Sequence, residues 1–496
     1  MTAVEKLEKH VKELSNINYT KSVLFWDGET GAPKSGVNER GEALGYLNSL
    51  YKRKMSDEEF ISLFSRLSED KTIDLVPKRM AEELDDEYKK IKNIPEEEYV
   101  DYIKLINNAH MVWEEAKDKE DFDAFAPTLK EIIAYQKKFI DYRESELSPY
   151  NVLLDDYEPG MTMDKLDEFF SALKETIVPL LKEIIDSDVV VDDMFLKRDI
   201  PIEKQKKIVN NLVEMINFDL GKGMIKGSAH PFTLGLSPLD VRFTNRYQED
   251  SLDFALFAGA HEGGHAIYEQ NIDQNLIGTN LADGASMGMH ESQSRFYENL
   301  ICKDIHFVRY YYKKLKEKYL DELKDIDVYT FYKGINKVTP GLIRIYADEL
   351  TYSLHVMIRY EIEKEIFEND LAVGMIPKLW EEKMQSYLGV VPSNDAEGPL
   401  QDVHWSGGMF GYFPSYALGS AYASQIMHFM RKELPVNELL ETGDIKQIGA
   451  WLREKIHKYG KVKKPSELIN DISGEGFNPI YYANYLKDKY SAIYEI

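Results

Sequence analysis

The sequence contains a single cysteine, Cys302, among its 496 residues. One cysteine excludes an intramolecular disulfide, and nothing in the composition requires an oxidising compartment. The N-terminus is charged from Glu5 onward and lacks the apolar core of a signal peptide. No stretch approaches the roughly 18 consecutive apolar residues of a transmembrane helix. We therefore expect a cytoplasmic protein that does not associate with membranes.

Positive charge is scarce as well. The 61 lysine and arginine residues are outnumbered by 86 aspartate and glutamate residues, which gives a formal net charge of −25. Nucleic acids and anionic lipid surfaces attract basic proteins, so an acidic excess of this size argues against both as partners. We expect no nucleic-acid partner.

The sequence also lacks internal repeats, low-complexity tracts and linkers rich in glycine, serine or proline. Length alone would favour about three domains, but without linkers we predict one continuous domain over residues 1–496, divided into two lobes by a cleft. Helical periodicity dominates, as in Met163–Ile185, and the clearest alternating pattern is Leu239–Tyr247. The expected fold is mainly α with a small β-sheet.

The stretch His261-Glu262-Gly263-Gly264-His265 has the pattern H-E-x-x-H. On a helix its two histidines lie on one face, where both imidazoles can bind one divalent metal and Glu262 can reach a metal-bound water. The two glycines each cost roughly 1 kcal/mol in a helix interior. Such a helix is expected to lie close to another chain segment or to a ligand.

A catalytic zinc site needs a third protein ligand. Glu291, 26 residues after His265, is the leading candidate because it follows on a predicted helix after one loop. The alternative is a surface or salt-bridged glutamate. Glu269, one turn after His265, either orients a ligand or is exposed to solvent, and the sequence does not favour one over the other.

Five motifs resemble the signature motifs of one family, thermostable carboxypeptidase 1 or carboxypeptidase Taq. The family patterns are D-x-R-x-T, H-E-x-x-H, H-E-S-Q, I-R-x-x-A-D and G-x-x-Q-D-x-H-W. They are matched in that order, without a departure, by Asp240–Thr244, His261–His265, His290–Gln293, Ile343–Asp348 and Gly398–Trp405.

The resemblance implies a metallocarboxypeptidase that releases single residues from peptides with a free C-terminus, using a metal-bound water activated by glutamate. It implies a two-lobed helical fold with a deep central groove, similar to neurolysin and angiotensin-converting enzyme, and a homodimer. The metal would be zinc, with cobalt as the alternative. By the matched motifs, His261, His265 and Glu291 are the metal ligands and Glu262 is the general base.

Arginine binds a carboxylate through two parallel hydrogen bonds, as an exopeptidase must do with the substrate C-terminus. Arg344 is the favoured residue and Arg242 is the second candidate. Alternatively, one of these arginines only pairs with Asp240 or Asp348 and fixes the wall of the groove.

The tetrahedral oxyanion needs a hydrogen-bond donor opposite the metal. His404 and Tyr416 are the candidates, and we prefer Tyr416 to Tyr412 because its spacing from His404 resembles that of neurolysin-like enzymes. His230 either lines the groove or is a turn residue. Trp405 is expected to be a packing residue.

Two other functions compete with a carboxypeptidase. An oligoendopeptidase of the same fold has no need to anchor a terminal carboxylate, so Arg344 is the discriminating residue. A non-catalytic helical scaffold that binds peptides has no need of Glu262. In the carboxypeptidase interpretation, the glycine pair Gly263-Gly264 provides clearance for the peptide backbone.

Overall fold

The chain forms twenty α-helices and one small sheet, and the computed structural model describes residues 1–496. In chain order the helices are α1 (Ala3–Thr30), α2 (Val37–Met55), α3 (Glu58–Glu69), α4 (Leu75–Ile91), α5 (Glu96–Asp118), α6 (Phe122–Tyr142), α7 (Pro149–Asp155), α8 (Met163–Asp186), α9 (Ile202–Met215), α10 (Leu252–Gln270), α11 (Met287–Arg295), α12 (Ile305–Lys318), α13 (Val328–Ile335), α14 (Glu349–Glu368), α15 (Ile376–Leu388), α16 (Pro414–Glu433), α17 (Val436–Thr442), α18 (Ile445–Lys455), α19 (Pro465–Ser473) and α20 (Ile480–Tyr494). The predicted mainly α fold is confirmed.

The fold divides into two units, each assembled from three separate stretches of chain. Unit 1 comprises Met1–Tyr88, Asp192–Ile335 and Ile426–Gly476, and unit 2 comprises Lys89–Val191, Asn336–Gln425 and Phe477–Ile496. Helices α1–α4, α9–α13 and α17–α19 begin in unit 1, and the others begin in unit 2. A single domain with two lobes around a groove stays a prediction. No helix is long and apolar enough to cross a membrane.

The sheet belongs to unit 1 and has three strands, β1 (Gly223–Gly227), β2 (Thr233–Ser237) and β3 (Asp240–Asn245). The central strand β3 pairs in parallel with β1 and antiparallel with β2. Its alternation is clear because Val241 and Phe243 are fully buried whereas Arg242 points to the other face. The predicted strand is therefore confirmed, but the expected loop Gly227–Gly235 contains one strand end and the start of another.

Helix α10 is buried along most of its length and packs against α9, α11 and β3. It is apolar on nearly all sides, as expected of a helix surrounded by protein. Ser251 precedes its first residue, in agreement with the predicted start near Ser251 or Asp253. This helix carries the H-E-x-x-H pattern, so the motif lies on a helix that is held on several sides.

Two predicted helices differ from the structure. The expected helix from Met287 to Cys302 ends as α11 at Arg295 and continues as a π-helical turn, Phe296–Cys302. The expected helix from Ile343 splits into a 3₁₀ turn, Arg344–Tyr346, and α14. The split occurs at Asp348, whose carboxylate accepts the N–H of Thr351 at 3.0 Å and caps the start of α14.

Candidate metal centre and arginine cluster

Helices α10 and α11 bring the three predicted metal ligands together. His261 and His265 are one turn apart on α10, and Glu291 lies on α11. The Nε2 atoms of the histidines are 3.6 Å and 3.4 Å from the same oxygen, Oε2 of Glu291. Glu291 therefore lies beside the histidine pair, and its role as the third metal ligand stays a prediction.

The second ring nitrogen of each histidine is already engaged. Nδ1 of His261 donates to Oε2 of Glu298 at 2.9 Å, and Nδ1 of His265 donates to the carbonyl of His290 at 3.0 Å. Because a carboxylate and a carbonyl only accept hydrogen bonds, both Nδ1 atoms carry the proton. In the neutral form of each ring, Nε2 is then the nitrogen with the free lone pair, and both Nε2 atoms lie near Glu291, as metal ligation requires.

The carboxylates around the histidines are held by neighbouring side chains. Arg295 donates from Nε to Oε1 of Glu291 at 2.8 Å and from Nη1 to Oε2 of Glu298 at 3.1 Å. Lys303 donates to the other oxygen of Glu298 at 3.0 Å. Burial opposes these charges, but the cations and His261 hold the pKa of both carboxyls below the ordinary glutamate range. Both groups are therefore ionised.

Glu298 and Arg295 were not among the residues predicted from the sequence. The sequence offered a signal, because Glu291, Arg295 and Glu298 recur at i, i+4 and i+7 and would share one face of a continuous helix. Opposite charges at such spacings can pair with one another. The sequence does not reveal the π-helical turn that carries Glu298. Such turns are frequent at functional sites.

Histidine protonation follows from these partners. Burial and the neighbouring His290 lower the pKa of His265 to about 3, so its ring is neutral at neutral pH. Burial also opposes charge on His261, yet the carboxylates of Glu291 and Glu298 raise the pKa of that ring above its ordinary value. Negative charge is thus concentrated at His261, where a cation is stabilised.

Glu262 lies on α10 between the two histidines and is only 8% exposed. Its Oε2 accepts the hydroxyl of Thr233, on β2, at 2.6 Å. Burial raises the pKa of the Glu262 carboxyl above the ordinary value. A carboxyl with a raised pKa and one oxygen fixed by a hydroxyl is suited to accepting and returning a proton.

Glu269 is 5% exposed, so the alternative of a solvent-exposed glutamate is wrong. Nε2 of His290 donates to its Oε1 at 2.8 Å, and Nδ1 of His290 is 2.6 Å from Nδ1 of His265. Glu269 therefore contacts His290, which in turn contacts the predicted ligand His265, so any orienting effect on His265 passes through His290.

The glycine pair has a different role from the one predicted. A Cβ at Gly264 would lie 2.6 Å from the carbonyl oxygen of Gln293 and 2.8 Å from Cα of Ser294, both on α11. At Gly263 the nearest atom would be Cγ1 of Val213, on α9, at 3.4 Å. Gly264 allows α10 to approach α11 closely, and neither glycine faces open space. The predicted clearance for a peptide backbone is therefore wrong.

The donor set fits a divalent metal. The ligand atoms of His261, His265 and Glu291 lie within 4.8 Å of one another. Two imidazole nitrogens and one carboxylate oxygen are a common catalytic zinc set, and the same atoms suit other divalent transition metals. We call His261, His265, Glu291, Glu262 and Glu298 the metal cluster.

A second group of polar residues forms in unit 2 around the predicted residue Arg344. Arg344 donates from Nε and Nη2 to Oδ1 of Asp402 at 3.1 Å and 2.8 Å, and from Nη1 to the hydroxyl of Tyr352 at 2.9 Å. Arg359, on α14, donates from Nε to Oδ2 of the same carboxylate at 2.6 Å. Gln401 accepts from both the Arg344 backbone and Arg359 Nη2. We call Arg344, Arg359, Asp402 and Gln401 the arginine cluster.

His404 and Tyr416 adjoin this cluster. Nε2 of His404 is 3.1 Å from the Tyr416 hydroxyl, and its Nδ1 is 4.0 Å from Oδ1 of Asp402. Burial lowers the pKa of His404 to about 4 and holds the pKa of Tyr416 well above its ordinary value. Both groups are therefore neutral near pH 7. The ring of Tyr412 stacks on His404 with centroids 5.5 Å apart.

The alternative prediction for the two arginines was that one of them only pairs with Asp240 or Asp348. Arg242 pairs with Asp240 through two hydrogen bonds of 2.8 Å and 2.7 Å, as the alternative stated. Arg344 pairs with Asp402 and not with Asp348, which caps α14. Sequence proximity suggested the wrong acidic partner, because the true one lies 58 residues away.

The last two residues considered in the sequence analysis are His230 and Trp405. His230 is exposed on the segment between β1 and β2. Trp405 is 4% exposed and its Nε1 donates to Oε1 of Glu363 at 2.8 Å, so it packs as expected.

Comparison with known proteins identifies the family. The family model described as Carboxypeptidase Taq (M32) metallopeptidase matches residues 6–490. The chain belongs to this family. Carboxypeptidase 1 of Bacillus subtilis (strain 168) is 46% identical over 494 residues, which cover 98% of this chain and 97% of that protein.

Two further relatives agree with this assignment. Thermostable carboxypeptidase 1 of Thermus thermophilus is 34% identical over 512 residues, with 99% of each chain covered. A solved carboxypeptidase structure from Pyrococcus furiosus matches with a TM-score of 0.95 at 32% identity, and the match covers 99% of each chain.

Membership of the M32 family confirms the prediction of a metallocarboxypeptidase, an enzyme with a divalent metal. It also confirms the predicted class of fold, since the solved M32 carboxypeptidase has the same mainly α architecture.

Proposed function

We propose that this metallocarboxypeptidase releases single amino acids from peptides with a free C-terminus. The metal cluster hydrolyses the last peptide bond, and the arginine cluster receives the terminal carboxylate. The observation that carries the proposal is the donor set itself. Two Nε2 atoms point at the Glu291 carboxylate, and their Nδ1 protons are already committed to Glu298 and the carbonyl of His290.

A bound divalent metal supplies Lewis-acid chemistry, which polarises the scissile carbonyl and makes water acidic near neutral pH. Glu262 accepts the proton of the attacking water at Oε1, while the Thr233 hydroxyl holds its Oε2. The same carboxyl then returns the proton to the nitrogen of the leaving amino acid. Because burial raises the pKa of Glu262, this carboxylate is a stronger base than an ordinary one, which favours acceptance of the water proton.

Arg344 is proposed to bind the terminal carboxylate. A guanidinium has five N–H groups, and three of those of Arg344 donate to Asp402 and Tyr352. Two N–H groups remain for the two carboxylate oxygens of the substrate. Arg242 is the second proposed substrate-binding residue. Its bidentate pairing with Asp240, two residues away on the same strand, holds the guanidinium against β3 and favours a role in fixing the surface there.

Tyr416 and His404 are proposed to stabilise the oxyanion. The Tyr416 hydroxyl donates to the negative oxygen that develops on the attacked carbonyl, and Nε2 of His404 fixes the direction of that hydroxyl. Because Tyr416 and His404 are neutral near pH 7, the hydroxyl keeps its proton for this hydrogen bond.

We propose zinc as the metal, with cobalt as the alternative, since both bind sets of imidazole and carboxylate ligands. We further propose that the enzyme is a cytoplasmic homodimer. The acidic composition and the lone cysteine support the location, and the dimer rests on the family resemblance.

The test is product analysis by mass spectrometry on matched peptides with a free or an amidated C-terminus. The metal-loaded enzyme should remove residues one at a time from the free acid only. A chelator should stop the reaction and added zinc or cobalt should restore it. Equal cleavage of both peptides would indicate an oligoendopeptidase, and tight binding without cleavage would indicate a non-catalytic scaffold.

A further inference from the structure

Arg359 was not predicted to have a role, yet it is one of the most completely enclosed side chains in the protein. It is 0% exposed and uses all three guanidinium nitrogens. Nε donates to Asp402 Oδ2, Nη1 to the carbonyl of His355 at 2.7 Å, and Nη2 to Oε1 of Gln401 at 2.7 Å. Its guanidinium also stacks on Trp380, 4.4 Å from the ring centroid. Arg359 therefore cannot touch a ligand.

The charges of the arginine cluster do not balance. One carboxylate, Asp402, is shared between two guanidinium groups, with Arg344 on Oδ1 and Arg359 on Oδ2. Burial lowers the pKa of His404 to about 4 and that of His355 to about 3, so neither histidine adds charge near pH 7. The cluster therefore carries one positive charge in excess.

The buried acid one turn after Arg359 on α14, Glu363, offsets this excess only in part near pH 7, because burial raises its pKa to about 7. Glu363 accepts hydrogen bonds from Tyr150, Trp405 and the backbone of Gly411 rather than from either arginine. An isolated pair of Arg344 and Asp402 would be neutral and would attract an anion weakly. The second arginine changes that, because a charge in a buried site acts over several ångströms with little screening.

We propose that Arg359 is a positioning residue that keeps the charge of Arg344 available to the substrate carboxylate. It holds Oδ2 of Asp402, so that Asp402 orients Arg344 without neutralising the cluster. It also holds Oε1 of Gln401, which accepts the backbone N–H of Arg344 at 2.9 Å and fixes the 3₁₀ turn that carries Arg344. This inference rests on the proposed role of Arg344 as the carboxylate-binding residue.

The test measures KM and kcat of the metal-loaded enzyme for a peptide with a free C-terminus, together with the inhibition constant of 3-phenylpropanoate. This probe is a carboxylate without a cleavable bond, and 3-phenylpropanamide is its uncharged control. Arg359→Met should raise KM and the inhibition constant of the carboxylate about tenfold. It should change kcat and the inhibition by the amide much less.

A charge-restoring double variant separates electrostatics from structural damage. Arg359→Met with Asp402→Asn again leaves Arg344 as one uncompensated charge, and the amide oxygen introduced by Asp402→Asn can still accept a hydrogen bond from Arg344. The inhibition constant of 3-phenylpropanoate should return to within about threefold of the parent value, since the cluster charge is restored. This double variant leaves no buried carboxylate oxygen without a charged donor, so it is expected to fold even if Arg359→Met alone does not.

Arg359→Lys keeps the charge but loses the planar group that holds Asp402 and Gln401 together, so it should weaken carboxylate inhibition less than Arg359→Met does. The inference is overturned if a folded Arg359→Met binds the carboxylate as the parent does, or if the folded double variant remains tenfold weaker. Arg344→Met tests the underlying role separately. If Arg344→Met leaves carboxylate inhibition unchanged, the proposed function of Arg344 fails. If it weakens inhibition while Arg359→Met does not, only the role of Arg359 fails.

Discussion

The metal cluster and the arginine cluster are built with opposite charge. Around the two histidines lie three carboxyl groups, of Glu262, Glu291 and Glu298, and only two cations, Arg295 and Lys303. In the arginine cluster, two guanidinium groups face one carboxylate. The first arrangement favours a cation and the second favours an anion, which are the two charges that a metallocarboxypeptidase must bind.

The two clusters also differ in backbone. The metal cluster lies on α10, α11 and the π-helical turn that follows, where ligand spacing is set by helical geometry. Arg344 lies on a 3₁₀ turn and Asp402 on an irregular loop, so hydrogen bonds among side chains must fix their positions. The comparison teaches that regular backbone positions the predicted metal ligands, whereas a polar network positions Arg344, the proposed carboxylate-binding residue.

The largest expected effect comes from removing the base of the metal cluster. Glu262→Gln keeps the shape of the side chain but cannot accept the water proton, so kcat should fall by about 10²- to 10⁴-fold. Metal content should stay near one ion per chain, because Glu262 is not one of the three ligands. KM should change little if the arginine cluster binds the substrate independently. A variant that retains more than a tenth of kcat would contradict the assigned base.

The next effect concerns the support of a ligand. Glu298→Gln removes the negative charge that holds Nδ1 of His261, and such changes typically weaken metal binding about 10- to 100-fold. Competition with a fluorescent chelator measures the metal dissociation constant directly. The matched control is Glu454→Gln, because Glu454 pairs with Lys458 on the surface and should not affect affinity. Equal affinity in Glu298→Gln and the parent would show that His261 does not depend on Glu298.

A smaller effect tests the close contact that brings the metal ligands together. Gly264→Ala places a Cβ 2.6 Å from the carbonyl oxygen of Gln293, and backbone must move to relieve it. We expect a loss of about 1–3 kcal/mol in stability and a lower melting temperature. Gly263→Ala is the matched control, since its Cβ meets a side chain at 3.4 Å and alanine favours the helix. Equal melting temperatures for the two variants would contradict this account.

The same comparison explains what the sequence predicted. The proximity of His261 and His265 could be predicted from the sequence, because a helix places residues i and i+4 on one face. Glu291 could be predicted as their neighbour because it is an acidic residue on the next helix. The pairing of Arg344 with Asp402 could not be predicted from the sequence, since 58 residues separate them and no periodicity links them. Only the family motifs brought Arg344 and the Asp402 segment into consideration.

Other differences have similar physical causes. Strands β1 and β2 are short and contain glycine, which weakens the alternating pattern of apolar residues. The low helix propensity of Gly264 correctly indicated that α10 lies close to a neighbour at this position. The sequence does not say whether that neighbour is a ligand or another helix. A role for Arg359 was not predicted, because the sequence does not distinguish a buried arginine from an exposed one until its partners are known.

Helix α14 also carries a buried acid outside the arginine cluster, Glu363. Glu363 accepts hydrogen bonds from the Tyr150 hydroxyl, Trp405 Nε1 and the Gly411 N–H, each at 2.8 Å. It thereby ties α14 to the loop that carries His404. Burial raises the pKa of Glu363 to about 7, although these hydrogen bonds act in the opposite direction.

This shift predicts the smallest effect, a pH dependence of stability. The folded protein keeps a proton on Glu363 at pH values where the unfolded chain, with an ordinary glutamate pKa of about 4.3, has lost it. Stability must therefore fall as pH rises from about 4.3 through about 7, by about 1 kcal/mol between pH 6 and 7.5. Glu363→Gln cannot titrate, so its melting temperature should fall less over this range than that of the parent. Because histidines titrate in both proteins, the difference between the two curves is the quantity to compare. Parallel curves would mean that Glu363 is ionised throughout and that its three hydrogen-bond donors outweigh its burial.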